Sequence, residues 1–280
     1  MPTQPVNSQL EDGIPTNSPR IPDKPTGEDT MNPPLPAPGE AGGPNEFCPL
    51  CGTPDPASVA IPSPRPIRRC SRCRLLFVPP GEHLTPDEEK ACYDTHENYP
   101  DDPRYRAFLS RLADPLMARL RPGAEGLDYG AGPGPALQAM LEEAGHPTAV
   151  WDPFYHRNTS VLECSYDFIT CTETAEHFHD PGQEFLRLEG LLREEGWLGV
   201  MTQPPPPDHE LATWYYLRDP THVCFYPRRT LSWIADRFGW EATFLPQGVT
   251  LFRKGPRRDA HHLPHPRDPE RLPPPGTQGR

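Results

Sequence analysis

A glycine-rich loop between a short apolar strand and an amphipathic helix sets the narrowest limits on the fold of this sequence. The run "GLDYG", residues 126–130, is typical of a buried strand, and "PALQAMLEEAG" predicts a helix that begins at Pro135 and ends at Gly145. The loop between them reads Asp128-Tyr-Gly130-Ala-Gly132-Pro-Gly134. Glycines there let the backbone approach a ligand closely, and the start of a helix offers unpaired N–H groups. We therefore predict a ligand-binding loop at this junction.

Strands and helices alternate through the rest of the central segment. The predicted later strands are "TAVWD", "YDFITC" and "GWLGVMTQ", and the predicted helices cover roughly residues 182–194 and "RTLSWIADRFGW". The runs "EATFLP" and "VTLFRK" flank a Pro-Gln-Gly turn and predict a terminal antiparallel hairpin. This order predicts an α/β fold with a doubly wound, mostly parallel Rossmann-like sheet. The link from Asp152 to "YDFITC" is short, so we expect one strand usual in such sheets to be vestigial.

Two matched cysteine pairs precede this segment. They are Cys48-x2-Cys51 and Cys70-x2-Cys73, with 18 residues between the pairs. This spacing predicts a small zinc-ribbon-like module in which four thiolates bind one zinc ion. An all-cysteine site is closed, so its role would be structural, and the metal would supply folding free energy that so short a segment lacks. The alternative is a redox pair or unpaired thiols.

Composition and motifs together divide the chain into five segments. Many of the 43 prolines lie in the two ends, which contain few residues to bury. We predict a disordered Pro-rich arm (1–45), the cysteine module (46–80), a helical connector (81–123), the main domain (124–254) and a disordered tail (255–280). The connector carries leucines at helical spacing, with a kink or break at Pro115.

Charge and hydropathy exclude some classes of protein. The net charge of −12 argues against nucleic acid as a partner, because nonspecific binding needs a basic surface. No apolar run approaches the roughly 18 residues of a membrane span, so we expect no membrane insertion and a cytoplasmic protein. The sequence predicts no oligomeric state.

An acidic residue follows the second strand of the main domain. Asp152 lies 24 residues after Asp128, where a carboxylate suits the two hydroxyls of a ribose. The alternative for Asp152 is a cap or turn residue. A nicotinamide site is disfavoured, because Pro135 stands where the G-x-G-x-x-G fingerprint needs its third glycine.

The form D-x-G-x-G-x-G resembles motif I of class I S-adenosylmethionine-dependent methyltransferases. The block "YDFITCTETAEHFHDPGQEFLRLEGLLREEGWLGVMTQ" is similar to the centre of the group that includes the ubiquinone-pathway O-methyltransferases, with Glu195-Gly196 in place of that group's "GG"-type turn. "DPTHVCFYPRRTLSWIADRFGW" resembles the late His-x-x-Phe segment of the same group. The resemblance covers about residues 46–254, and cysteine-paired modules occur in bacterial members.

The resemblance implies a role for each matching position. The loop would hold the methionine moiety of S-adenosylmethionine, Asp152 would bind its ribose, and Thr172 and Glu173 would lie near the sulfonium. The implied cofactor-binding residues are Asp128, Gly130, Ala131, Gly132, Gly134, Asp152, Thr172 and Glu173.

The motif Glu173-x-x-Glu176-His177 follows the third strand. On a helix these residues share one face, although Asp180-Pro181 just beyond indicates a helix of only one turn. Two carboxylates with an imidazole suit a divalent ion such as Mg²⁺ or Mn²⁺. The motif also resembles the metal site of small-RNA 2′-O-methyltransferases and ubiquinone-pathway O-methyltransferases, where a later histidine can complete the site; His222 is the candidate and His209 the reserve. Without a metal, His177 or His222 would act as a general base. The candidate catalytic residues are His177, His222 and Glu173.

The segment 203–226 is expected to cap the pocket. Its aromatic residues could form an acceptor pocket or simply the core of this lid; they are Trp214, Tyr215, Tyr216, Phe225 and Tyr226. The leading hypothesis is an S-adenosylmethionine-dependent methyltransferase (EC 2.1.1) that acts on a small-molecule or pendant acceptor, with a hydroxyl favoured. The alternatives are an RNA-modifying methyltransferase that binds through the zinc module, and a non-catalytic S-adenosylmethionine-binding module.

Overall fold

The computed structural model describes residues 47–95 and 99–256. The strands, in chain order, are β1 (Ala57–Ser58), β2 (Arg68–Arg69), β3 (Leu76–Phe77), β4 (Gly126–Tyr129), β5 (Thr148–Trp151), β6 (Tyr166–Thr172), β7 (Leu192–Met201), β8 (Cys224–Phe225), β9 (Glu241–Phe244) and β10 (Val249–Arg253). The helices are α1 (Pro86–Tyr93), α2 (Pro103–Met117), α3 (Ala136–Glu143), α4 (Pro181–Leu191) and α5 (Arg228–Phe238). The predicted arm 1–45 and nearly all of the predicted tail 255–280 lie outside the described residues.

The central sheet has six strands in the order β5–β4–β6–β7–β10–β9. Strands β5, β4, β6 and β7 are parallel, whereas β10 pairs antiparallel with both β7 and β9. The predicted fold class and terminal hairpin are therefore confirmed. Between β5 and β6 the chain forms only a bridge and a 3₁₀ turn at Thr159–Glu163, where we expected a vestigial strand.

Helices cover both faces of this sheet. On one face Leu112 of α2 and Leu141 of α3 are fully buried with Phe168 of β6. On the other face Phe185 of α4 and Ile234 of α5 are fully buried in a second cluster that also contains the cysteine pairs. Two buried layers on one sheet make the domain doubly wound. Among the described residues no helix has both the length and the apolar content to cross a bilayer.

Two helix predictions differ from the structure. The break that we considered at Pro115 does not occur: Pro115 lies inside α2, two residues before the helix ends at Met117, and removes only its own hydrogen bond to the carbonyl four residues earlier. Helix α4 ends at Leu191, whereas we predicted an end near residue 194, and Leu192 already pairs with Tyr166 in the sheet. The polar residues that follow Leu192 belong to β7 and not to the helix. One of them, Arg193, forms an ion pair with Asp167.

A second, smaller sheet joins the cysteine module to the lid. Its order is β1–β2–β3–β8, and β8 belongs to the lid segment, where we predicted no strand. Gly182 at the start of α4 packs so closely on the first cysteine turn that an added Cβ would lie 3.0 Å from the carbonyl oxygens of Pro49 and Leu50. The module, the lid and α4 therefore form one packed unit beside the strand ends.

Candidate functional site

A cavity of about 1240 Å³ opens at the carboxyl ends of β4, β5 and β6. Its wall includes the glycine loop after β4, Asp152 after β5 and Thr172 at the end of β6. Helix α1 closes one side with Tyr93, and the lid closes another with Tyr216. Ligands of open α/β sheets bind at this edge, because the parallel strands all end there.

Two of the loop's three glycines, Gly130 and Gly132, have different structural roles. Both have left-handed backbones, with φ of +83° at Gly130 and +64° at Gly132. A Cβ on Gly130 would lie 2.2 Å from the side chain of Thr174, so glycine is required there for packing. A Cβ on Gly132 would meet no atom of the described residues within 4 Å, although Gly132 lines the cavity. The loop therefore leaves an open cradle at Gly132 that a side chain would obstruct.

Asp152 is the residue that ties the loop to the next strand. Its carboxylate accepts hydrogen bonds from the backbone N–H groups of Gly132 (2.9 Å), Phe154 (2.8 Å) and Tyr155 (3.0 Å). This is the turn role that we kept as its alternative. Asp152 also lies on the cavity wall, and a carboxylate accepts more hydrogen bonds than these three, so a ribose role stays a prediction.

Asp128 and Gly134 are not on the described wall of the cavity. Asp128 is 4% exposed, and its side chain accepts a hydrogen bond of 2.7 Å from the hydroxyl of Thr170. Burial raises the pKa of Asp128 to about 6. Its position indicates that it supports the loop from within the sheet, whereas Gly130, Ala131 and the cradle at Gly132 reach the cavity.

The Glu-x-x-Glu-His motif forms a tighter turn than we predicted. Strand β6 ends at Thr172, Glu173 has a left-handed φ of +47°, and only a 3₁₀ turn follows at Ala175–His177. Helix α4 begins separately at Pro181. The expected face of an α-helix is therefore wrong, but Glu173, Glu176, His177 and His222 all line the one cavity.

The two histidines are held by carbonyl groups of the lid. Nδ1 of His177 lies 3.1 Å from the carbonyl oxygen of Thr221, and Nδ1 of His222 lies 2.9 Å from that of Tyr216. A carbonyl oxygen only accepts, so each Nδ1 carries the proton and each neutral ring keeps its lone pair on Nε2. The ring centroids lie 4.8 Å apart. Burial, as the largest effect, lowers the pKa of His222, which keeps this ring neutral near pH 7.

Three buried oxygen atoms near these rings have no hydrogen-bond partner among the described residues. They are Oγ1 of Thr172, Oε1 of Glu173 and Oε2 of Glu176. The hydroxyl of Tyr216 hydrogen-bonds Oε1 of Glu176 and lies 3.3 Å from Oε2 of Glu173. Unsatisfied buried acceptors are costly and rare, so this group is suited to a ligand that brings donors or positive charge.

The Glu173 carboxyl gives the site a pH-dependent stability. Burial, and then the neighbouring Glu176 carboxylate, raise the pKa of Glu173 from 4.5 to about 8. The neutral form is therefore the one that folding favours, so this stabilisation is complete below pH 4.5 and is lost as the pH rises through about 8.

We expect Glu173→Gln to gain stability over the parent protein as the pH rises from 5 to 9, by on the order of 1–3 kcal/mol, because glutamine stays neutral. Denaturant unfolding of ligand-free protein measures this difference. The exposed Glu241→Gln serves as the control and should show no such trend. A Glu173→Gln curve parallel to that of the parent protein would show that Glu173 ionises normally.

Among the described residues, two groups of side chains have the geometry that a metal ion needs. The sulfur atoms of Cys48, Cys51, Cys70 and Cys73 all lie within 4.8 Å of one another, and so do one ligand atom each of Glu176, His177 and His222. Glu173 is not part of the second group. The reserve candidate His209 is outside the cavity, and its side chain is 77% exposed.

Part of the cavity wall was not predicted from the sequence. Tyr93 of α1 packs edge-on against His177, with ring centroids 5.2 Å apart, but nothing in its sequence surroundings links it to the central motifs. Of the five predicted lid aromatics, only Tyr215 and Tyr216 line the cavity. Phe225 and Tyr226 are fully buried in the core, as our alternative proposed.

Comparison with solved structures finds distant likenesses. A 1,6-didemethyltoxoflavin N1-methyltransferase from Burkholderia thailandensis is 17% identical, covers 67% of this chain and 98% of its own, and has a TM-score of 0.42. An O-methyltransferase family protein from the same organism is 15% identical over 61% and 64% of the two chains, with a TM-score of 0.41. An N-methyltransferase from Bradyrhizobium japonicum is 14% identical over 60% and 97%, with a TM-score of 0.39. No curated protein sequence gives a significant match.

The sequence itself matches a protein family. Residues 98–244 match the model of the methyltransferase domain family, which is just over half of the 280-residue chain. The matched segment contains the glycine loop, the Glu-x-x-Glu-His turn and His222, all of which border the cavity. The chain therefore belongs to the methyltransferase domain family.

Proposed function

We propose that this protein is an S-adenosylmethionine-dependent methyltransferase that binds its methyl donor at the glycine loop. The observation that carries the proposal is the open cradle at Gly132, beside Asp152, at the carboxyl ends of the parallel strands. When bound there, S-adenosylmethionine supplies an electrophilic methyl group. Gly130 to Gly132 would hold its methionine moiety, Asp152 its ribose, and Thr172 with Glu173 would line the place of the sulfonium.

Asp152→Ala is expected to weaken S-adenosylmethionine binding by about 10- to 100-fold, the equivalent of about 1.5–3 kcal/mol for a charge-assisted hydrogen bond. The substitution also frees three backbone N–H groups, including that of Gly132, so the cradle would lose its support. Calorimetric titration gives the affinity. An unchanged affinity would show that the ribose is bound elsewhere and that the loop does not depend on this carboxylate.

We propose that the acceptor is a small molecule, or a pendant group, that presents a hydroxyl to Glu176, His177 and His222. The Nε2 atoms are the basic atoms of the two rings, because each Nδ1 donates to a lid carbonyl. A neutral ring could therefore accept the hydroxyl proton at Nε2 while the acceptor is aligned with the methyl group. Tyr215 and Tyr216 supply apolar surface for the rest of the acceptor.

The same three residues suit a divalent ion. One carboxylate and two imidazoles, with ligand atoms within 4.8 Å of one another, match the donors that Mg²⁺ or Mn²⁺ and similar ions accept. Oε2 of Glu176, which has no hydrogen-bond partner within the described ranges, supports this proposal, because a cation would satisfy it. Such an ion would act as a Lewis acid toward the acceptor oxygen. This arrangement would agree with the proposed kinship to the ubiquinone-pathway group.

An acceptor screen with methyl-labelled donor tests the proposed function, with phenols, alcohols and amines compared in parallel. We expect transfer to a hydroxyl compound. Loss of transfer with a chelator, restored by Mg²⁺ or Mn²⁺, would assign the metal role; transfer that ignores chelators and rises with pH would assign a histidine base. Donor binding without transfer to any class would leave only a binding module.

We also propose that residues 46–80 form a zinc module, with 81–123 as connector and 124–254 as the catalytic domain. The sulfur atoms of Cys48 and Cys73 lie 3.5 Å apart, and so do those of Cys51 and Cys70. A tetrahedral zinc with Zn–S bonds near 2.3 Å places its sulfurs roughly 3.8 Å apart, so the four thiols fit the ion. No open position remains for chemistry.

Elemental analysis of the purified protein is expected to find one zinc ion per chain, because four converging thiolates bind zinc tightly. Cys48→Ala should lower the zinc content and destabilise the module, whereas Cys92→Ala, outside the cluster, should change neither. Zinc-free protein of full stability would contradict the module.

A further inference from the structure

One arginine of the cysteine module forms hydrogen bonds to the lid beside the histidines. Arg65, between β1 and β2, donates from Nη1 to the carbonyl oxygen of Pro220 (2.7 Å). Its Nη2 donates to the carbonyl oxygens of Asp219 (2.6 Å) and His222 (2.9 Å), with that of Leu217 at 3.4 Å. Four carbonyl groups of one short loop thus converge on a single guanidinium group, 152 or more residues away in sequence.

Two more carbonyl groups of the same loop hold the two histidines of the site. Tyr216 accepts from Nδ1 of His222, and Thr221 accepts from Nδ1 of His177. Residues 216–222 therefore form a carbonyl loop with two sets of partners, the imidazoles toward the cavity and Arg65 on the side of the cysteine module. A shift of the loop that releases the four carbonyl groups bound by Arg65 would therefore also move the two carbonyl groups that orient the histidine rings.

We propose that Arg65 is a positioning residue: it fixes the carbonyl loop so that His177 and His222 are both held as Nδ1–H tautomers with Nε2 available. The effect of Arg65 on the rate of methyl transfer rests on the proposed function, whereas its effect on the tautomers of the two histidines does not. The cysteine module then has a task beyond its own fold, because it carries the group that shapes the acceptor side of the cavity.

The shape of the guanidinium group explains why arginine suits this place. Its planar fork offers several N–H donors in fixed directions, whereas lysine offers one compact charge that cannot reach four spread acceptors. A main-chain contact also joins the cysteine module to the lid. The backbone N–H of Val78 donates to the carbonyl oxygen of Val223 at 2.8 Å, next to the β3–β8 pair. The loop is thus held at its end by the sheet and along its length by Arg65.

The chain provides a matched control in Arg69. This residue also joins the cysteine module to the lid segment, through a two-pronged ion pair with Asp208 at 2.8 and 2.6 Å. The Asp208 side chain is 67% exposed, and among the described hydrogen bonds the Arg69 side chain binds Asp208 rather than the carbonyl loop. Arg69→Ala removes a module–lid contact of similar kind but leaves the histidine supports in place.

The test compares Arg65→Ala, Arg65→Lys and Arg69→Ala with the parent protein by ¹⁵N NMR of the histidine rings at neutral pH. We expect Nδ1–H signals for His177 and His222 in the parent protein and Arg69→Ala. Both signals should be lost or averaged in the two Arg65 variants. Methyl transfer should fall about 10- to 100-fold in kcat for Arg65→Lys, with donor affinity and zinc content unchanged.

Two outcomes would overturn the inference. One is an Arg65→Lys protein that keeps both Nδ1–H signals; the other is an Arg69→Ala protein that loses them equally. If Arg65→Ala fails to fold, Arg65→Lys, which keeps the charge, decides alone. If the parent protein binds no methyl donor, the proposed function fails, but the ring signals still decide the role of Arg65.

Discussion

Replacing Gly132 with valine is expected to reduce S-adenosylmethionine binding by at least about 100-fold. Two effects act together. The branched side chain would enter the open space where the loop faces the cavity, and it would strain a backbone whose φ is +64°. Only the first effect depends on a ligand that occupies the cradle. Calorimetry or equilibrium dialysis measures the loss of affinity.

Gly123 provides the matched control for this substitution. Its φ is +71°, and a Cβ there would also meet nothing within 4 Å in the part of the chain that the structure describes. Gly123 is exposed and does not line the cavity. Gly123→Val therefore has a similar backbone penalty without the obstruction. We expect both variants to lose similar stability, but only Gly132→Val to lose donor binding. Equal affinities in the two variants would contradict a donor site at the loop.

Replacing His177 with asparagine is expected to lower kcat by about 100- to 10,000-fold while leaving donor affinity unchanged. The asparagine amide can still donate to the carbonyl oxygen of Thr221, which takes the place of the Nδ1 contact. It has no atom in the place of Nε2, whether that atom serves as base or as metal ligand. Steady-state kinetics with a saturating donor separates the two quantities.

His177→Gln and His209→Asn complete this comparison. Glutamine reaches toward the Nε2 position but loses the lid contact, so it should also be slow. His209 is exposed outside the cavity, so its change should leave kcat unaltered. A His177→Asn enzyme with nearly full kcat would show that the ring acts only in packing against Tyr93.

The local parts of this site could be predicted because their signals are contiguous in sequence. A strand, a glycine loop and a helix follow one another, so the position of Gly132 required no knowledge of distant packing. The convergence of Glu176 and His177 with His222 was expected from the resemblance and from the rule that parallel strands end at one edge. Asp180 and Pro181 already indicated a single turn, since they start α4 and leave little room before it, but the 3₁₀ form of that turn was not predicted.

The remaining parts depend on contacts between distant segments. Arg65 was one of several arginines in a proline-rich stretch, and only the folding of the lid onto β3 brings the carbonyl loop to it. The turn role of Asp152 was named only as an alternative, since its partners are backbone groups that a sequence does not display. Asp128 matched a motif, but complete burial beside Thr170 removed it from the cavity wall.

A titration of the ¹⁵N-labelled protein with S-adenosylmethionine, followed through backbone amide signals, tests the donor site most directly. We predict that the signals of Gly130, Ala131 and Gly132 shift and saturate at one equivalent of ligand per chain, while that of Gly123 stays in place. The amide of Gly132 should be the most sensitive, because it already binds the Asp152 carboxylate. Signals of the glycine loop that remain unchanged at saturating donor would contradict the account.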